Sequence, residues 1–118
     1  MDINLSGTNL TLTDEIRDYV EKHVSKIGKL EHDPSARLSI ELERLTEHKT
    51  SDEFRAELML HAPGLESRAE SSSASLHSAI DEAIDKMQTE LRKVKGKKKR
   101  MFRLEGLKFK NWLRGWRE

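Results

Sequence analysis

Cysteine is absent from this 118-residue chain. That excludes a disulfide framework, a cysteine-type zinc finger and thiol catalysis. It is compatible with a reducing cytosol, and a cytoplasmic location is expected. No apolar run approaches the ~18–20 residues that span a bilayer. The opening "MDINLSGTNL" has neither the basic n-region nor the apolar h-region of a secretory leader, so no membrane partner is expected. Hydrophobic residues total 35% and aromatics 5%, enough for one small core with a tail.

Catalytic signatures are missing too. There is no G-x-S-x-G, no phosphate-binding Walker loop and no G-x-G-x-x-G. The histidines, His23, His32, His48, His61 and His77, show neither H-x-x-x-H nor H-E-x-x-H spacing. No metal and no cofactor are therefore expected. His23 falls on an apolar helical stripe and reads as a core or boundary residue. Ser71–Ser73 read as a linker and cap, and "IDEAID" as the acidic N-terminal half of a helix. A non-enzymatic protein is the expectation, since acid–base chemistry needs a pocket that a small two-layer domain rarely provides.

What the chain does have is charge, unevenly placed. "LRKVKGKKKRMFR" sets eight cations in thirteen positions with no acid among them. Residues 86–118 hold 13 of the 22 Lys and Arg but only three of the 21 acids, a balance of +10. Residues 1–85 are left with nine bases and eighteen acids, a balance of −9. The overall +1 hides this asymmetry, which points to a polyanionic partner for the basic end. Cations near a helix C-terminus answer its dipole, and that accounts for Arg92, Lys93 and Lys95. The effect fades within the last turn and leaves Lys97, Lys98, Lys99 and Arg100 unexplained, which favours nucleic-acid contact.

Periodicity gives the elements. Ile3, Leu5 and Gly7 alternate with Asn4 and Ser6, predicting a strand over 2–8 with one buried face. Ile16, Tyr19, Val20, His23, Val24, Ile27 and Leu30 then follow helical spacing, with Thr13 as N-cap. Leu38, Ile40 and Leu42 alternate in a second strand, and Phe54, Ala56, Leu58 and Leu60 in a third. Pro63-Gly64 signals an antiparallel hairpin into a short strand with Leu65 and Ala69 inward. Ser75 is the preferred cap of a second helix, whose stripe runs through Leu76, Ala79, Ile80, Ala83, Ile84, Met87, Leu91 and Val94. The order is β-α-β-β-β-α, an α+β two-layer sandwich. It places a four-stranded sheet under two helices packed on one face. Residues 1–96 form the expected domain and 97–118 a basic, aromatic-containing tail.

The stretches "LSGTNLTLTDEIRDYVEKHVSKI" and "LHSAIDEAIDKMQTELRKVKGKKK", with Pro63-Gly64 between them, resemble the ribosome hibernation promoting factors, which include the ribosome-associated inhibitor. The resemblance covers about residues 1–99. It rests on Gly7, Leu12, Thr13, Ile16, Arg17, Tyr19 and Val20, and on Ala79, Ile80, Asp81, Asp85, Lys86, Leu91, Arg92, Lys93 and Lys95. It implies the same β-α-β-β-β-α fold and a non-catalytic inhibitor of translation. Such an inhibitor binds the small ribosomal subunit, and its ribosomal RNA, in the mRNA and tRNA channel during stationary phase or stress. By position it implies RNA contacts from Lys22, Lys26 and Lys29 on the first helix. On the second helix it implies Lys86, Arg92, Lys93 and Lys95, followed by Lys97, Lys98, Lys99 and Arg100.

Three departures stand out. Ser71–Ser75 replace the acidic residues that usually precede the second helix. His77 stands where an aromatic, often Tyr, is usual. Long-form relatives carry a separate C-terminal dimerisation domain, whereas only "MFRLEGLKFKNWLRGWRE" follows residue 100, so the resemblance is to a short form that is a monomer when free. In that segment Phe109, Trp112, Leu113 and Trp116 keep helical spacing among cations. It is suited to docking on its own domain or a partner, to RNA contact through Trp112 and Trp116, or to a membrane surface. Poor order in the free protein is expected for it. Two rival functions are a protein-interaction module with a basic end and a general double-stranded RNA-binding domain, the latter disfavoured because that domain starts with a helix and lacks the opening strand read here.

Overall fold

The computed structural model describes residues 1–46 and 52–117, with side chains described through Gly96. The element order is β1 (Asp2–Thr8), α1 (Asp14–Gly28), β2 (Arg37–Arg44), β3 (Phe54–Ala62), β4 (Leu65–Ser73) and α2 (Leu76–Arg117). The sheet order is β1-β2-β3-β4. β1 and β2 run parallel with α1 as their crossover, while β2–β3 and β3–β4 are antiparallel. A strand therefore precedes the first helix and joins the sheet, unlike the double-stranded RNA-binding domain, which opens with a helix.

Local chemistry sets the element ends. The amide of Ile16 donates to Thr13 Oγ1 at 3.2 Å, and that of Ser78 to Ser75 Oγ at 3.1 Å, so both expected caps are used. Ala62 pairs with Leu65 across Pro63-Gly64, and Gly64 sits at φ 70°. Proline first and a left-handed glycine second is the pattern of a type II turn. At Gly7 a Cβ would lie 2.8 Å from the carbonyl oxygen of Leu10. Only glycine lets the chain double back there.

The core lies between the sheet and the two helices. Val20, Val24 and Ile27 of α1 meet Leu38, Ile40 and Leu42 of β2, Ala56, Leu58 and Leu60 of β3, and Ala79, Ile80, Ala83, Ile84, Met87 and Leu91 of α2. These are the alternating and helical stripes read from the sequence. The order of the contacts between the helices fixes their direction. Tyr19 meets His77 and Asp81, His23 meets Asp81, and Glu31 meets Lys95. Both numbers rise together, so α1 and α2 run the same way.

Two expectations change. Ile3 points to the helix side as its alternation requires, but it is 45% exposed, because β1 is an edge strand with α1 covering it incompletely. Ser71–Ser73 are not a linker. They complete β4, and buried Ser71 donates to the Glu82 carboxylate at 2.5 Å. The acids of "IDEAID" lie in the N-terminal half of α2 as expected, although its first turn holds none. Asp81 and Glu82 also make contacts outside their helix, to Tyr19 and Ser71. The backbone of α2 continues past Gly96 to Arg117. That segment has no proline, and its Lys, Arg and Leu are good helix formers.

Candidate nucleic-acid interface

The expected cations of α1, Lys22, Lys26 and Lys29, are all exposed. Spacings of four and three put them on one face of the helix, opposite Val20, Val24 and Ile27. None of them has an ion-pair partner among the described residues. Lys26 also falls in the last turn, where a cation answers the helix dipole.

The cations of α2 divide into two groups. Lys86 Nζ donates to the carbonyl oxygen of Glu70 at 2.9 Å, on the β4 side of the helix. Lys93, seven positions later, shares that side and lies 3.7 Å from Glu90. Lys95 turns the other way and lies 3.9 Å from Glu31, just beyond α1. Arg92, three positions before Lys95, is exposed and has no ion pair among the described residues. Arg92 and Lys95 thus join the α1 lysines, whereas Lys86 is engaged at the sheet edge. The side chains of Lys97, Lys98, Lys99, Arg100, Trp112 and Trp116 lie outside the described residues. Their backbone continues α2.

Because the helices run the same way, their basic C-terminal portions lie at one end of the layer. Their N-terminal portions carry Asp14, Glu15 and Asp18 on α1 and Asp81, Glu82 and Asp85 on α2. Relative position is fixed by an aromatic cluster. The ring of Tyr19 lies 4.2 Å from those of both His23 and His77, and its hydroxyl donates to Asp81 at 2.7 Å. Burial first, and the Asp81 carboxylate second, push the Tyr19 phenol up to about 12. Sequence reasoning missed this pin between the helices, although the spacing of His77 and Asp81 places both on one face.

The open face of the sheet is different. Arg55 reaches Glu43, Glu57 and Glu70, and Arg68 reaches Glu57 and Glu70. Their guanidinium groups are held above the usual arginine range by those carboxylates, and Glu70 is held below the usual carboxylate range, chiefly by its hydrogen bond from Arg55. Three of the acids that balance the basic block sit here. A polyanion would find little attraction on this face. It would find unengaged ammonium and guanidinium groups on the helix layer, suited to phosphate oxygens without reading base sequence.

The sequence of residues 3–99 matches the family described as Sigma 54 modulation protein / S30EA ribosomal protein. A ribosome hibernation promotion factor from a Picosynechococcus species is 31% identical over 97 residues, covering 82% of this chain and 50% of that protein. A ribosome hibernation promoting factor of Azotobacter vinelandii is 31% identical over 107 residues, covering 90% of this chain and 92% of the relative. The chain therefore spans about half the length of the first relative and most of the second. Among solved structures, the Thermus thermophilus Protein Y N-terminal domain superposes with a TM-score of 0.68 at 34% identity, covering 80% of this chain and 99% of that one.

Proposed function

This chain belongs to the Sigma 54 modulation protein / S30EA ribosomal protein family, and from that premise we propose that it is a ribosome hibernation factor. It binds the small ribosomal subunit in the mRNA and tRNA channel, through ribosomal RNA, and inhibits translation during stationary phase or stress in the cytoplasm. The observation that carries this reading is the convergence of Lys22, Lys26, Lys29, Arg92 and Lys95 at one end of the helix layer. The relatives named as hibernation factors support it. The mechanism is occupancy. Lysine and arginine neutralise phosphates and release their counterions, so affinity falls steeply with salt. Lys97, Lys98, Lys99 and Arg100 extend this basic run, and Trp112 and Trp116 add stacking groups along the same helix.

Cell-free translation with titrated protein tests the reading. Inhibition should saturate at about one protein per ribosome and reverse at higher salt, as a phosphate-dominated complex does. Co-sedimentation should follow the small subunit. Cleaved ribosomal RNA after incubation, or co-sedimentation with the large subunit alone, would overturn it.

A further inference from the structure

The two edges of the sheet are protected unequally. On β4, Lys86 covers the Glu70 carbonyl, and Arg68 and Glu70 hold neighbouring positions. Charged side chains of this kind blunt an edge against further pairing. The β1 edge, Asp2–Thr8, has no Lys, Arg or Pro. Its backbone groups can be assigned. The amide of Asp2 donates to the Ala36 carbonyl of the β2 side. In the parallel ladder, Asp2, Asn4 and Ser6 then face β2, while the N–H and C=O groups of Ile3, Leu5 and Gly7 face the open edge.

Beneath that edge, β1 and α1 leave a hollow of about 300 Å³ lined by Ile3, Asn4, Leu5, Arg17, Val20 and Glu21. Ile3 is 45% exposed beside it. Arg17 and Glu21 are exposed at its rim. Neither has an ion pair among the described residues.

We propose that a second copy of this chain occupies this edge, through antiparallel pairing of β1 with β1 about a twofold axis at Asn4. The register follows from three independent features. Pairing about Asn4 sets Ile3 opposite Leu5 of the other copy, and both have outward amides and carbonyls, so each such pair exchanges both N–H···O bonds. Ile3 and Leu5 also share the helix side, so they meet over the two hollows and remove the exposed isoleucine from water. Asn4 lies level with the stretch of α1 between Arg17 and Glu21, since all three line the same hollow. A twofold there sets Arg17 of one copy opposite Glu21 of the other, twice. An isologous contact requires such self-complementarity, and the unpaired charges at the rim supply it.

The contact is short, so the association is weak and concentration-dependent. A monomer, as the sequence suggests, is the dilute species. The outward helix faces stay uncovered, so the pairing stands apart from the ribosome-binding reading and is measured without ribosomes. Sedimentation equilibrium of the full chain should show a mass of 13.7 kDa when dilute, rising towards twice that value as concentration increases. Arg17→Glu alone and Glu21→Arg alone should each stay monomeric with unchanged melting temperatures, because each sets like charges opposite one another across the twofold. An equimolar mixture of the two variants should recover the association, since attraction is then restored between unlike copies. A constant wild-type mass, single variants that associate like the wild type, or a mixture that fails to recover would each overturn the proposal.

Discussion

On the open face of the sheet, Arg55 and Arg68 are held by carboxylates from three strands. On the helix layer Lys22, Lys26, Lys29 and Arg92 meet no carboxylate among the described residues. The same residue types thus stand in two different environments in one small domain. Cations engaged by neighbouring acids hold strands in register and offer little to a polyanion. Cations left in water on a helix face contribute little to stability and keep their full attraction for phosphate. Counting Lys and Arg would rank the two faces by number, whereas their partners separate engaged cations from unengaged ones.

The sharpest way to break this comparison is to reverse charge on each side. Arg92→Glu, Lys93→Glu and Lys95→Glu together should abolish co-sedimentation with ribosomes. Each phosphate left without its cation should lower the salt slope by roughly 0.7–0.9. Stability should change little through Arg92 and Lys93, since exposed substitutions usually stay within about 0.5 kcal/mol each, and more through Lys95, whose ammonium lies 3.9 Å from the largely buried Glu31 carboxylate. Ribosome binding at wild-type strength would remove the helix layer from the argument.

The converse substitution is Arg55→Ala. It should leave ribosome binding intact and destabilise the fold. Arg55 is only 19% exposed, and its loss leaves Glu43, Glu57 and Glu70 facing one another across three strands. Removing one partner of a largely buried polar group costs about 1–3 kcal/mol, which lowers Tm by roughly 5–15 °C in a domain of this size. Thermal melts and pelleting on the same preparation check both halves. Weakened pelleting with an unchanged melt would reverse the roles assigned to the two faces.

The split between the faces was partly legible in the sequence. Alternation put Arg55 and Glu57 on the outward side of their strand, and Arg68 and Glu70 on that of theirs. It could not give the register that brings Glu43 and Glu70 to the same guanidinium, because register belongs to pairs of strands. The order of elements was readable because the apolar period switches cleanly between two and 3.6 residues. Ser72 and Ser73 were not readable as strand, since serine has no β preference of its own. The Glu82 carboxylate that satisfies Ser71 comes from α2. Ile3 shows a different limit, since alternation tells which way a side chain points but not whether anything covers it. On α2 the density of cations was plain, yet only tertiary contacts separate Lys86, tied to β4, from Arg92 and Lys95 beside α1.

A smaller effect sharpens the sheet side of the comparison. Glu70 is held below its ordinary value of 4.5, first by the hydrogen bond from Arg55. A carboxyl depressed in the folded state binds its proton less readily there than in the unfolded chain. Its stabilisation is therefore complete above about pH 4.5 and is lost as pH falls through the lowered folded value. With the side chain 43% exposed, solvent screening limits the contribution to about 1 kcal/mol or less. Denaturant midpoints measured from pH 7 down to pH 3 should fall less steeply in Glu70→Gln than in the wild type. Parallel curves would show that the Arg55–Glu70 bond contributes nothing net.

The least perturbing test acts on the helix side, at the pin between the two helices. Tyr19 is the only tyrosine of the chain, so its phenolate can be titrated by absorbance without interference from another phenol. The protonated phenol donates to Asp81 and is partly desolvated, which pushes it up to about 12 from 10.0. A group raised in the folded state gives stability that is present below its unfolded value and lost as pH rises through the folded one. The wild-type midpoint should therefore lie near 12, and Asp81→Ala should bring it down only part of the way, because burial by itself opposes the phenolate. Tyr19→Phe keeps the ring against His23 and His77 and removes the hydroxyl alone, at a cost of about 0.5–1.5 kcal/mol. It leaves every cation in place, so the salt slope of ribosome binding should be unchanged. If the pin holds the α1 lysines and Arg92 on one surface, affinity should fall severalfold at constant slope. A slope that falls with the affinity would mean that fewer phosphates are neutralised, and that the two helices had separated instead of loosening.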